Sequence, residues 1–265
     1  MISERDAKKQ IVEIGKRLYE KGLVAATDGN MTIRLGDRFV TTPSGVSKGF
    51  LKENELVVVD SNGEKITGNG KPSTELKMHL EVYRARPDVQ AVVHAHPPKC
   101  LSFIIAGESF SQCAIPEVIV SIGAIPTAPY ATPSTDALAE SIREPIKHTD
   151  AIMLDRHGSL TVGENLLSAY HKLEKMEHAA EILLYSRLLG NVRTLSKAEV
   201  DELMALREQT YGLKGNVLRC DDEVLGTGGC QIHGDQRISS DAMSRDELVK
   251  TITQIVMEKL NSKKS

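Results

Sequence analysis

Val89-Gln90-Ala91-Val92-Val93-His94-Ala95-His96 is the stretch on which the fold turns. Its β-branched residues suit a pleated, buried environment, so it reads as a core strand. Helical patterns lie on both sides. One opens after Pro72 with Ser73 and Thr74, carries Leu76, His79 or Leu80, and Tyr83, and stops near Arg86-Pro87; residues 100–106 form a short second one. Further upstream, Ser3-Glu4-Arg5-Asp6 is a capping box ahead of Ile11, Ile14 and Leu18, and Gly22 ends that helix. Residues 31–35, 38–42 and 56–60 read as short strands, with turns at Gly36-Asp37 and Ser61-Asn62-Gly63. Downstream, residues 118–122 and 125–128 read as strands around Gly123, and 133–148 as a helix. Residues 151–154 and 159–162 form a hairpin-like pair with His157-Gly158 at the turn. A long helix follows over 164–189, ended by Gly190, and a capping box at Ser196-Lys197-Ala198-Glu199 opens one more, to about Tyr211. The sheet thus lies mid-chain without regular crossovers. That pattern is an α/β fold: a three-layer α/β/α domain with a central mixed, mostly antiparallel sheet.

The 265 residues carry 33 Lys and Arg against 36 Asp and Glu, a formal charge of -3, too balanced for a nucleic-acid binder. There is no Trp and little aromatic content, which argues against single-strand recognition by stacking. No apolar run reaches the roughly 20 residues of a membrane span, and residues 1–10 are polar rather than a signal peptide. Four scattered cysteines make no disulfide framework and point to a reducing cytoplasm. Cys100 and Cys113 read as small buried apolar groups, while Cys220, Cys230 and His233 fit no zinc template.

The chain divides into a catalytic domain over 1–214, a flexible linker over 215–243 and an amphipathic helix over 244–262. The linker holds five glycines; the helix opens with a capping box at Ser244 and carries Leu248, Ile252, Ile255 or Val256, and Leu260.

His94 and His96 are two apart on a strand, so both imidazoles point to one face and can reach one ion. A catalytic zinc takes three protein ligands, and His157, at its turn, is the best third. His171 and His178, seven apart on the long helix, suit a solvated or packed face; His79 suits the core, His148 a helix end and His233 the linker. Gly29-Asn30, Ser44-Gly45 and Ser73-Thr74 are small-polar loops, the last at a helix start, and such loops cradle phosphate. Each is also an ordinary turn or cap. Glu75 follows directly: either a first-turn carboxylate favoured by the helix dipole, or a base held between phosphate loop and metal.

Gly29-Asn30, Thr42-Pro43-Ser44-Gly45, Pro72-Ser73-Thr74-Glu75, His94-Ala95-His96, Ala128-Pro129-Tyr130-Ala131-Thr132 and His157-Gly158 occur in one order along residues 5–213. In that order they resemble the class II aldolase/adducin family, and Tyr211-Gly212-Leu213 is similar to the end of its aldolases. The resemblance implies an α/β/α fold and a homotetramer with active sites between subunits. It implies one Zn2+ per subunit on His94, His96 and His157, with Glu75 as acid/base, approaching the metal when substrate is absent. Gly29, Asn30, Ser44, Gly45, Ser73 and Thr74 would hold the substrate phosphate, and Tyr211 would reach a neighbour's site to help protonate the departing aldehyde. The chain departs from the family's aldolases where they receive the aldehyde: Glu117 and Pro133 stand where aromatics are expected.

The implied activity is a lyase reaction, reversible aldol cleavage of L-fuculose 1-phosphate or a related ketose 1-phosphate into dihydroxyacetone phosphate and L-lactaldehyde. Zinc would act as Lewis acid on the dihydroxyacetone moiety while Glu75 moves the proton. An L-ribulose-5-phosphate 4-epimerase, a methylthioribulose-1-phosphate dehydratase and a non-enzymatic adducin-like module are the alternatives. The tail resembles the peptides that direct enzymes into bacterial microcompartments, which implies a shell-protein partner for residues 244–262. A helix packed on the enzyme's own tetramer is the competing expectation.

Overall fold

The computed structural model describes residues 2–109, 112–210 and 218–220. α1 (Glu4–Glu20) is capped by Ser3, whose hydroxyl accepts from the Asp6 amide, and ends before Gly22 at φ +67°. β1 (Asn30–Leu35), β2 (Arg38–Thr41), β3 (Val57–Val59) and β4 (Lys65–Thr67) follow, then α2 (Leu76–Ala85), β5 (Ala91–Ala95) and α3 (Pro98–Ile105). After α4 (Pro116–Ser121) come β6 (Thr127–Ala128), α5 (Asp136–Ile142), β7 (Ala151–Leu154), β8 (Gly158–Gly163), α6 (Leu166–Leu188) and α7 (Lys197–Gln209).

The eight strands form one sheet in the order β4-β3-β2-β1-β5-β8-β7-β6. Every neighbouring pair is antiparallel except β6 with β7. Strand alternation divides the core between the two faces. Ala91, Val93 and Ala95 of β5 pack with Ile11, Ile14 and Leu18 of α1 and Tyr170 and Leu173 of α6. Val92 faces the other way, among Leu80 and Val82 of α2 and Leu138 and Ile142 of α5. The result is the expected three-layer arrangement, with β5 at its centre.

Three expectations are corrected. Residues 118–122 are not a strand but mostly α4: Pro116 starts the helix, where its missing N–H costs nothing, and Val118, Ile119 and Ile122 form one buried stripe. β-Branched propensity yields here to packing against α6 and α7. The 133–148 helix is reduced to α5 and a 3-10 turn at Pro145–Lys147, because Ser134 adopts φ +66° and Pro145 cannot continue an α-helix. Cys113 and Cys220 are not separate residues of core and linker. They form a disulfide with Cα atoms 5.5 Å apart. Leu218, within the stretch expected to be linker, donates to the His148 carbonyl and accepts from the Ala124 amide. Cys100 is buried and free, as expected. The 244–262 helix and Tyr211 lie outside the described residues.

Candidate active site

Antiparallel pairing brings the start of β1, the end of β5 and the start of β8 to one end of the sheet. Asn30 lies opposite His94, and Ala95 opposite Ser159. Two glycines permit the close approach. A Cβ on Gly29, already at φ +72°, would sit 2.9 Å from the His94 carbonyl; one on Gly158 would sit 2.6 Å from the Ala95 carbonyl and 2.7 Å from the His96 ring.

The ligand nitrogens of His94, His96 and His157 all lie within 4.8 Å of one another. His94 Nδ1 lies 2.9 Å from the Ser159 carbonyl oxygen. A carbonyl only accepts, so the proton sits on Nδ1 and the Nε2 lone pair faces inward. His94 Nε2 is 3.2 Å from His96 Nε2, whose Nδ1 points to Asp28 Oδ2 at 3.6 Å. Glu75 completes the cluster, with Oε2 3.3 Å from His94 Nε2 and Oε1 3.1 Å from His157 Nε2. Inward lone pairs on imidazoles, with a carboxylate beside them, need a proton or a cation among them, and three nitrogens plus one oxygen suit a divalent transition metal.

Glu75 precedes α2 at its N-cap position, yet its side chain makes no capping bond. Its carboxylate instead meets the histidines and accepts from Asn30 Nδ2 at 2.8 Å. Burial pushes its pKa up, but the close contacts of His157 and His94 and their charges outweigh this and hold it well below the usual carboxylate range. Burial, then the charges of His94 and His157, lower His96 to about 4 against the pull of Asp28 and Glu75. His96 is therefore neutral at pH 7, the form that ligates metal.

The three small-polar loops converge beside this cluster. Ser44, Gly45 and Thr74 are exposed and Ser73 half-buried, while Gly29 and Asn30 are buried. The Ser44 amide donates to the Lys71 carbonyl at 2.9 Å, so its hydroxyl and the exposed Gly45 are what that loop presents. Ser73 Oγ accepts from the Glu75 amide, and Thr74 Oγ1 from Ser134 Oγ. Asn30 already gives its amide N–H to Glu75, and its Oδ1 is buried without a partner.

Sequence reasoning missed Asp28 and Ser134, and the Arg156 guanidinium 4.9 Å above the Tyr130 ring. Asp28 adjoins a quoted motif and was within reach of inspection. Ser134 and Arg156 share another signal, seen only in the backbone: with Ala26 they are the non-glycine residues at positive φ among the described residues, and each flanks a loop of this site.

Residues 9–184 match the Class II Aldolase and Adducin N-terminal domain. The chain belongs to this family. L-fuculose phosphate aldolase of Haemophilus influenzae is 33% identical over 221 residues, covering 80% of this chain and 98% of that protein. A 3-oxo-tetronate 4-phosphate decarboxylase of Pectobacterium atrosepticum is 30% identical over 208 residues, covering 76% and 94%. Among solved structures, an L-fuculose 1-phosphate aldolase superposes with a TM-score of 0.71 at 30% identity, covering 77% of this chain and 97% of the other.

This class II aldolase is an enzyme of the lyase class, and its three clustered histidines could hold a metal ion. Among the described residues no helix is long and apolar enough to cross a membrane. Pro133 is exposed in the loop whose Ser134 touches Thr74, whereas Glu117 lies on α4, packed with α6 and α7. His79, expected in the core, is fully buried there, with Nδ1 2.9 Å from Thr32 Oγ1.

Proposed function

We propose that the protein cleaves a ketose 1-phosphate, L-fuculose 1-phosphate or a close relative, reversibly to dihydroxyacetone phosphate and an aldehyde such as L-lactaldehyde. The observation that carries the reading is Glu75 held among His94, His96 and His157 beside three small-polar loops, of which Ser44, Gly45 and Thr74 are exposed. The names of relatives that match nearly along their whole length point the same way. His94, His96 and His157 would hold one zinc ion, which when bound supplies Lewis-acid polarisation of a substrate oxygen. The carbonyl of Ser159 and the carboxylate of Asp28 orient two of those imidazoles. Glu75, kept ionised by its neighbours, takes and returns the proton at the reacting carbon. Ser44, Gly45, Ser73 and Thr74, with Gly29 and Asn30 behind them, hold the phosphate and so fix the register of the substrate.

Exposed Leu188 and Leu189 at the end of α6, and Ile105 at the end of α3, support assembly into a homotetramer. In that tetramer Tyr211 would reach a neighbouring site to protonate the departing aldehyde. We assign residues 1–214 to catalysis, with Leu218 and Cys220 tied to that domain rather than free in a linker, and residues 244–262 to recognition by a microcompartment shell protein; deleting 244–265 should spare catalysis and abolish co-sedimentation with shells.

The deciding experiment incubates the metal-loaded enzyme with several ketose 1-phosphates and measures free dihydroxyacetone phosphate. Its release supports the aldolase reading. An isomerised sugar phosphate with both fragments joined would favour the epimerase instead, release of water the dehydratase, and carbon dioxide from a 3-oxo acid phosphate the decarboxylase chemistry named for the Pectobacterium relative.

A further inference from the structure

Lys48 is among the largest fully buried side chains, at 2% exposure, and no described carboxylate forms an ion pair with it. Its Nζ donates to two backbone carbonyls, Thr27 at 2.7 Å and Val46 at 2.8 Å. Burying an ammonium without a counter-ion is costly, and an apolar side chain of similar length would fill the slot without that cost. Burial accordingly lowers the Lys48 pKa to about 8, against the opposing fields of Asp28 and Glu75. The group therefore remains mostly charged at pH 7, and its charge is felt at the site.

The contacts suggest what the charge is for. Thr27 stands two residues before Gly29, and Val46 follows Gly45, so the ammonium joins the backbones of two of the three small-polar loops. Its own backbone is anchored from the other side. The 3-10 turn Lys48–Phe50 packs on α1 so closely that a Cβ on Gly15 would lie 2.6 Å from the Lys48 carbonyl. A rigid helix thus holds one end of the side chain and the two loops the other.

We propose that Lys48 is a positioning residue for phosphate recognition: its buried ammonium clamps the Gly29-Asn30 loop to the Ser44-Gly45 loop and leaves behind them a positive charge that a substrate dianion compensates. The proposal rests on the reading of these loops as the phosphate-holding part of the site. A phosphate dianion would add to the partial counter-charge that Asp28 and Glu75 supply, so part of its affinity is the relief of a remaining electrostatic cost. The same clamp fixes the loop bearing Asn30, whose amide reaches Glu75.

The test titrates inorganic phosphate calorimetrically into the metal-loaded full-length wild type, Lys48→Met and Lys48→Gln. Both variants should bind phosphate about tenfold or more weakly. They should raise KM for the phosphorylated substrate more than they lower kcat, and retain wild-type metal stoichiometry. Unchanged phosphate affinity in the folded variants overturns the proposal; so does joint loss of metal and phosphate, which would make Lys48 a general support of the fold. A wild type that binds no phosphate refutes the phosphate reading itself, and the proposal with it. Should neither variant fold, the Lys48 15Nζ resonance of the wild type decides. A shift that saturates as phosphate is added supports the clamp, and an unmoved resonance overturns it.

Discussion

Glu75 Oε1 lies 3.1 Å from His157 Nε2, which joins the start of α2 to the β7–β8 turn across one end of the sheet. The contact makes the carboxylate part of the imidazole cluster. Its chemistry therefore depends on the three histidines and on what they hold.

Removing divalent metal with a chelator, or the substitution His94→Ala, should lower cleavage by about three orders of magnitude or more, since polarisation of a substrate oxygen would be lost. Elemental analysis should show one ion per chain falling to near zero. Full activity in metal-free protein would rule out the assignment.

Glu75→Gln keeps the shape of the side chain but removes its base. The turnover number should fall by about 10²- to 10⁴-fold, with KM little changed and the metal retained. A variant that loses its metal together with its activity would make Glu75 chiefly a ligand.

Gly158→Ala forces a Cβ to within 2.7 Å of the His96 ring and 2.6 Å of the Ala95 carbonyl. Misplaced imidazoles should weaken metal affinity by about tenfold or more, read by competition with a chromogenic chelator. Wild-type affinity would mean that the turn relaxes without disturbing the ligands.

Burial, reinforced by the charge of His94 and opposed by Glu75, holds fully buried His79 at about 3, against an ordinary 6.5. Between those values the unfolded chain binds a proton that the folded chain refuses. Stability should therefore fall as pH drops below 6.5, by about 1.4 kcal/mol per pH unit from this group, and level off near pH 3. Denaturant titrations at matched metal loading should show a shallower acid slope for His79→Gln. Identical slopes would contradict the assignment.

Reducing the Cys113–Cys220 bond, or replacing either cysteine by serine, should lower stability by about 2–4 kcal/mol. It should also speed hydrogen exchange at the Ala124 amide, which donates to Leu218. Thermal midpoints equal with and without reductant would show that the bond contributes nothing.

Much of the fold was legible from local pattern. The caps at Ser3 and Ser196 and the β-branched run ending at His94 each state a preference within a few residues, and the structure follows them. The 118–122 segment shows the limit. Val118-Ile119-Val120 has strand propensity, but a proline start and a buried stripe facing α6 and α7 make it helical. The disulfide was illegible for a different reason: its cysteines are 107 residues apart, and nothing local marks the pair.

By itself the sequence determined that His94 and His96 share a face, because a strand alternates with a period of two, and that Glu75 stands at a helix start. Only the tertiary structure decided that His157 and Glu75 meet them, that the Ser159 carbonyl fixes the His94 ring with Asp28 near that of His96, and that Lys48 lies buried beneath the loops. Local propensity reaches a few residues along the chain. Antiparallel pairing of β1, β5 and β8 and the packing of α1 and α2 set the distances between residues far apart in it.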